Sequence, residues 1–95
     1  MAYRLRIADR MQFEDQLYTV LLRAFRNELP RVTWRDVLRA LDKGAEILVT
    51  DPLHPSSVDD PRRRIRILPA PPLYLCYQLQ ESAKTVWLLT CASAL

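Results

Sequence analysis

Four arginines stand close together at Arg62, Arg63, Arg64 and Arg66. A guanidinium holds a phosphate or carboxylate through a planar fork of N–H donors. Tyr74, Gln78 and Trp87 follow in the next apolar stretches, with Leu89 beyond them. Arg, Trp and Tyr are the side chains that dominate binding hot spots. A local basic strip of this kind suits an RNA, DNA or acidic-protein partner; it equally suits a charged guard on a strand edge. For phosphoryl chemistry the set is thin. Arginine binds phosphate but stays charged at neutral pH and moves no proton. Tyr74 and Tyr77 are the nearby groups with a titratable hydroxyl, and Tyr77 reads as core. The catalytic candidates are therefore Arg64, Arg66 and Tyr74. The candidates for binding nucleic acid or a partner are Arg62, Arg63, Arg64, Arg66, Tyr74, Gln78, Trp87 and Leu89.

The remaining reactive side chains offer less. His54 is the single histidine; it lies in a proline-rich stretch with no carboxylate or nucleophile fixed beside it, and reads as a surface loop residue. Asp59 and Asp60 could hold a metal, or pair with Arg62 and Arg63, which is simpler. Ser56 and Ser57 lack the strand–turn–helix setting of a nucleophile elbow. One glycine, Gly44, excludes a phosphate-cradling loop. Cys76 and Cys91, with one distant histidine, are poor material for zinc. They read as free thiols in a reducing compartment. No metal and no cofactor is expected.

These groups must be positioned by a small fold. Ninety-five residues, 49% of them hydrophobic and 26% charged, suffice for one domain with a modest core. The net charge is +3. No apolar run approaches the roughly 20 residues of a membrane span, and the start of the chain lacks a continuous apolar stretch. A cytoplasmic location and no membrane partner are expected.

Tyr3-Arg4-Leu5-Arg6-Ile7 alternates and predicts a half-buried strand over 2–8. Asp9 sits at an N-cap position with Gln12 three residues on, and apolar residues at helical spacing predict a helix from Arg10 to about Glu28, ended by Pro30. Thr33-Trp34-Arg35-Asp36 is a second capping signal. It opens a helix to about Val49, in which Gly44 costs ~1 kcal/mol against alanine. The short link predicts a helix hairpin. Residues 51–61, rich in proline and serine, read as a mobile loop. Three strands follow: one around Arg64–Ile67 broken by Pro69-Ala70-Pro71-Pro72, one over Leu73–Gln80, and one from Thr85 to about Ala92 after a turn at Glu81–Lys84. The fold class is α+β, in the order β-α-α-β-β-β, with the helix hairpin on one face of a mostly antiparallel four-stranded sheet.

Pairing the last two strands across that turn sets Leu79 beside Val86 and Tyr77 beside Leu88. With Leu75, Ile65, Ile67, Leu5 and Ile7 they form the helix-packed face. Strict alternation then sends Tyr74, Cys76, Gln78, Trp87, Leu89 and Cys91 to the other face. Arg64 and Arg66 join that face if the proline turn keeps Ile65 and Ile67 inward. Cys76 opposes Leu89 in this register, which leaves Cys91 a diagonal neighbour beyond easy disulfide reach. A solvated sheet face should be polar. An apolar patch rimmed by arginine marks an interaction site, unless the loop covers it or the faces are exchanged.

The element order, together with local wording, resembles the RelE/ParE toxin superfamily of type II toxin–antitoxin modules. Tyr3–Ile7 is similar to that family's opening strand and Asp51-Pro52-Leu53-His54-Pro55 to the phrase that follows its second helix. Leu73–Leu79 and Val86-Trp87-Leu88-Leu89 are similar to its two late strands. The resemblance spans nearly the whole chain, on short, degenerate motifs. It implies one domain over 1–95, an antitoxin that wraps the functional surface, and, for a ribonuclease member, cleavage of mRNA on the ribosome. Such members hold the scissile phosphate with basic side chains on the sheet and shuttle protons with a C-terminal tyrosine or histidine. This sequence has Tyr74 where the family usually has arginine, and Thr90-Cys91-Ala92-Ser93-Ala94-Leu95 carries no tyrosine, histidine or arginine. The gyrase-directed branch lacks those residues too, so a gyrase-directed inhibitor is kept as an alternative. Three readings stand beside it: a toxin component acting on an antitoxin or RNA, a non-catalytic module that self-associates through the Trp87 face as a homodimer, and a ribonuclease with a non-standard site.

Overall fold

The computed structural model describes residues 2–94. The order is β1 (Arg4–Ile7), α1 (Arg10–Phe25), α2 (Trp34–Thr50), β2 (Val58–Asp60), β3 (Ile65–Ala70), β4 (Leu73–Gln80) and β5 (Thr85–Ser93). The strands form one sheet in the order β1-β5-β4-β3-β2. β1 runs parallel to β5, and the other neighbours are antiparallel. The sheet has five strands rather than the expected four, because the stretch read as loop contains β2. Three residues were too few to show a period, but they pair with Ile65–Ile67.

Both helices start as their caps dictate. The Asp9 carboxylate accepts the Gln12 N–H at 3.1 Å. Thr33 and Asp36 close a reciprocal box, with Asp36 N–H to Thr33 Oγ1 at 3.2 Å and Thr33 N–H to Asp36 Oδ2 at 2.9 Å. The Thr33 N–H, then the Thr33 hydroxyl, with Arg39 nearby, hold the Asp36 carboxyl below its usual range. α1 ends at Phe25, earlier than the expected Glu28, and Pro30 is not the cause. Asn27 turns left-handed at φ 59°. Glu28 N–H then bonds Arg23 O at 2.9 Å and Asn27 N–H bonds Ala24 O at 3.1 Å, the paired bonds of a Schellman stop. The chain after it buries Leu29 against α2.

The helices cover one face of the sheet. Phe13 of α1 and Leu48 of α2 meet Leu68, Leu75, Tyr77, Val86, Leu88 and Cys91, each essentially excluded from water. Burial of side chains this size contributes about 1.5–3 kcal/mol each. Gly44 explains how α2 comes so close. A Cβ there would meet Leu75 Cδ1 at 2.5 Å and Ala70 Cβ at 3.3 Å. The helix-weakening residue in the sequence is thus the point of contact with β3 and β4.

Gly44→Ala should therefore not deliver the ~1 kcal/mol expected from helix propensity. Overpacking against Leu75 and Ala70 should outweigh it, for a net loss on the order of 1–2 kcal/mol in urea unfolding. A stabilised Gly44→Ala variant would show that the helix is not pinned there.

Candidate interaction face

Register decides which side chains reach the uncovered face. Across β4 and β5 the expected pairs Leu79–Val86 and Tyr77–Leu88 are present. The next pair is Cys76–Thr90, so β5 carries an extra residue, Leu89, in a bulge. Beyond it the alternation is shifted. Cys91 lies opposite Leu75 and is 3% exposed in the core. Cys91 was expected on the open face; the bulge places it on the helix side, and burial pushes its thiol up to about 11. Cys76 stays on the open side, so the two thiols lie on opposite faces and are free. Leu89, half-buried, has no cross-strand partner in this register.

β3 is also reversed relative to expectation. The prolines do not break it before Pro69; the strand runs to Ala70, which pairs with Leu73 across a connection of Pro71 and Pro72. That parity sets Leu68 opposite Leu75 and Arg66 opposite Tyr77, on the helix side, and Ile67 opposite Cys76, on the open side. Ile65 and Ile67 therefore leave the expected core face, and Arg66 leaves the expected open one. Arg66 lies beneath the stretch after α2. Its Nε and Nη2 donate to Ser57 Oγ at 3.1 and 2.7 Å, and its Nη1 is 3.9 Å from Asp59 Oδ1. Pro69 is tolerated because β2 reaches no further than Ile67, which leaves this part of β3 an edge.

The open face that results runs from base to apolar surface. Arg4 and Arg6 of β1 lie in register with Thr85 and Trp87. Trp87 is opposite Gln78, and its indole N–H donates to Gln80 Oε1 at 3.0 Å. Gln78 Nε2 donates to the Arg64 carbonyl at 3.3 Å. Arg64, at φ 55° just before β3, lines a shallow groove with Gln78, Leu79, Gln80 and Trp87. Tyr74, 40% exposed, sits further along between Pro69 and Ala92. Val58, Ile65 and Ile67 complete the far side.

The structure thus brings together Arg64, Gln78 and Trp87, sets Tyr74 at one end of the same face, and puts Arg66 on the other side of the sheet. Arg62 and Arg63 are exposed on the turn before β3, with Arg63 Nε 3.8 Å from Asp60. The sequence reading missed Arg4 and Arg6 as site residues, although their alternation with Leu5 and Ile7 was visible; only the β1–β5 pairing makes them neighbours of Trp87. Among the described residues, Arg4, Arg6, Arg62 and Arg64 have no ion-pair partner. His54 Nδ1 accepts the Ser56 N–H at 3.0 Å within the surface stretch. No group of three or more His, Cys, Asp or Glu among the described residues is placed to hold a metal ion, and no described helix is long and apolar enough to cross a membrane. Of the tail in which an acid or base was sought, Leu95 lies outside the described residues.

Arg66→Ala should loosen the stretch from Ser57 to Asp60, with faster proteolytic nicking there and a loss of about 1–2 kcal/mol in stability. Arg64→Ala, with its exposed side chain, should stay within about 0.5 kcal/mol of the parent. Equal effects of the two would contradict the assignment of faces.

No family profile matches the sequence, and no curated protein is similar to it. Solved structures are. The fold is similar to that of a chain in the toxin–antitoxin complex RelBE2 from Mycobacterium tuberculosis, with TM-score 0.69 and 16% identity over 98% of this chain and 99% of that one. It is also similar to a metal-bound toxin from Helicobacter pylori, with TM-score 0.61 and 22% identity over 96% of this chain and 93% of that one. The hairpin of helices laid on one face of a mixed sheet is therefore a fold that this chain shares with these two solved structures.

Proposed function

We propose that this chain is the toxin component of a toxin–antitoxin module and that it acts through the open sheet face, on RNA when free and on its antitoxin when held. The observation that carries this reading is the face itself: unpaired Arg4, Arg6 and Arg64 around the half-buried indole of Trp87, on a toxin-like fold matched over 98% of the chain. Unpaired guanidinium groups can neutralise backbone phosphates, and indole and phenol rings can stack on bases. The same surface offers an acidic antitoxin segment its counter-charges, with Arg62 at the rim.

The chemistry of the face favours binding over cutting. Cleavage by a 2′-oxygen needs a group that takes a proton and one that gives it, beside charge that stabilises the phosphorane-like oxygens. The arginines can do only the last of these. Of the catalytic candidates Arg64, Arg66 and Tyr74, Tyr74 is the one with a hydroxyl for proton transfer, and it stands at the opposite end of β4 from Gln78. An endoribonuclease reading therefore rests on Tyr74 alone.

Expression of the chain by itself tests the proposal. Growth arrest is expected, and it should be relieved by Trp87→Ala combined with Arg64→Ala in a chain that still folds. Mapping of mRNA ends then separates the modes. New ends at ribosome-positioned codons would make Tyr74→Phe the next variant, and arrest without them would mean a target other than mRNA. A well-expressed, folded chain that does not slow growth would contradict the toxin reading.

A further inference from the structure

The helix layer has an outer surface that the sheet does not use, and it is unusually apolar. Tyr18 and Phe25 of α1 are 65% and 70% exposed, and Trp34 and Leu38 of α2 are 42% and 37% exposed. With Leu21 and Leu22 they line one groove between the helices. Met11, 77% exposed, extends the stripe at the same seven-residue spacing that relates Tyr18 to Phe25. Isolated exposed apolar side chains are ordinary, but a contiguous group marks a contact surface.

Charge at the ends of the groove indicates what covers it. The short link between the helices brings the end of α1 and the start of α2 together, and there the exposed cations are Arg26, Arg31 and Arg35, with Arg35 5.3 Å over the Trp34 ring, while the exposed acid Glu28 lies 4.0 Å from Arg23. Toward the other end stand the exposed acids Glu14, Asp15, Asp42 and Glu46, which outnumber the exposed cations there, Lys43 and, at the start of α1, Arg10. None of Glu14, Asp15, Arg26, Arg35 and Asp42 has an ion-pair partner among the described residues. A groove that is apolar in the middle, basic at one end and acidic at the other complements itself when turned end for end. We infer that this surface is a two-fold interface between two copies of the chain, with the basic end of each helix pair over the acidic end of its partner. Two-fold contacts require this kind of self-complementarity. A standard interface takes about 800 Å² from each partner, about an eighth of the 6492 Å² this chain exposes. The open sheet face lies on the far side and stays available in such a dimer.

Sedimentation of the purified full chain tests the inference. At micromolar concentration the expected mass is twice 11.1 kDa. Phe25→Glu, a change at an exposed position, should give a folded monomer. Arg35→Asp should weaken self-association about tenfold or more, and Arg35→Asp combined with Asp42→Arg should recover most of it. Trp87→Asp, on the sheet, should leave the dimer intact. A chain monomeric at every concentration would overturn the inference and leave the groove to a different protein. So would a dimer that survives Phe25→Glu but is lost with Trp87→Asp, or one indifferent to the charge reversals.

Discussion

A phenol buried without a partner costs free energy, and Tyr77, fully excluded from water, donates its hydroxyl to the Pro52 carbonyl. Much of the molecule is arranged around that bond. It ties the stretch after α2 to the middle of the sheet, which brings Ser57 and Asp59 over Arg66 and delivers β2 to the edge of β3. On β4, Tyr77 is also the last residue before the register shift, opposite Leu88. One side chain thus joins the loop, the fifth strand and the bulge. An apolar residue of similar size could fill the core here, but it could not hold Pro52.

The uncovered face follows from the same economy. Two helices of 16 and 17 residues shield one side of a five-stranded sheet. Gly44 lets α2 sit directly on Leu75 and Ala70, so the shield is close on that side. The other side holds its side chains in place with local bonds, Trp87 to Gln80 and Gln78 to the Arg64 backbone. A partner would meet an indole and amides already fixed, which lowers the ordering cost of association. At the far end of the sheet, Tyr3 and Lys84 both bond Glu81, which holds its carboxyl below the usual range and stitches the start of β1 to the β4–β5 turn.

Much of this was legible in the sequence because it is local. Alternation marked β4 to the residue and β1 to within two residues at its start, Thr33 and Asp36 announced α2, and the Glu81–Lys84 turn fixed the first pairs of β4 with β5. What failed was parity. One extra residue at Leu89 moves Cys91 from the open face to the core, and a connection of just Pro71 and Pro72 turns Arg66 inward and Ile67 outward. A shift of one residue reverses every later side chain on a strand, and no periodicity in the sequence records where it falls. The basic cluster was visible as composition, but its division into a bonded Arg66 and an unpaired Arg64 depends on where Ser57 and Asp59 come to lie. Arg4 and Arg6 became neighbours of Trp87 only through a pairing across most of the chain.

The account depends most on which side chains the bulge sends to each face, and the two cysteines report on it directly. The measurement is thiol labelling of the native protein, with the modified residue identified by mass spectrometry. Cys76, half-buried on the open face, should react first, while Cys91, 3% exposed and with its thiol pushed up to about 11, should wait for unfolding. If Cys91 reacts as fast as Cys76 in the folded chain, β5 runs without the bulge, and the face assigned here to Trp87, Gln78 and the arginines is not the one the molecule presents.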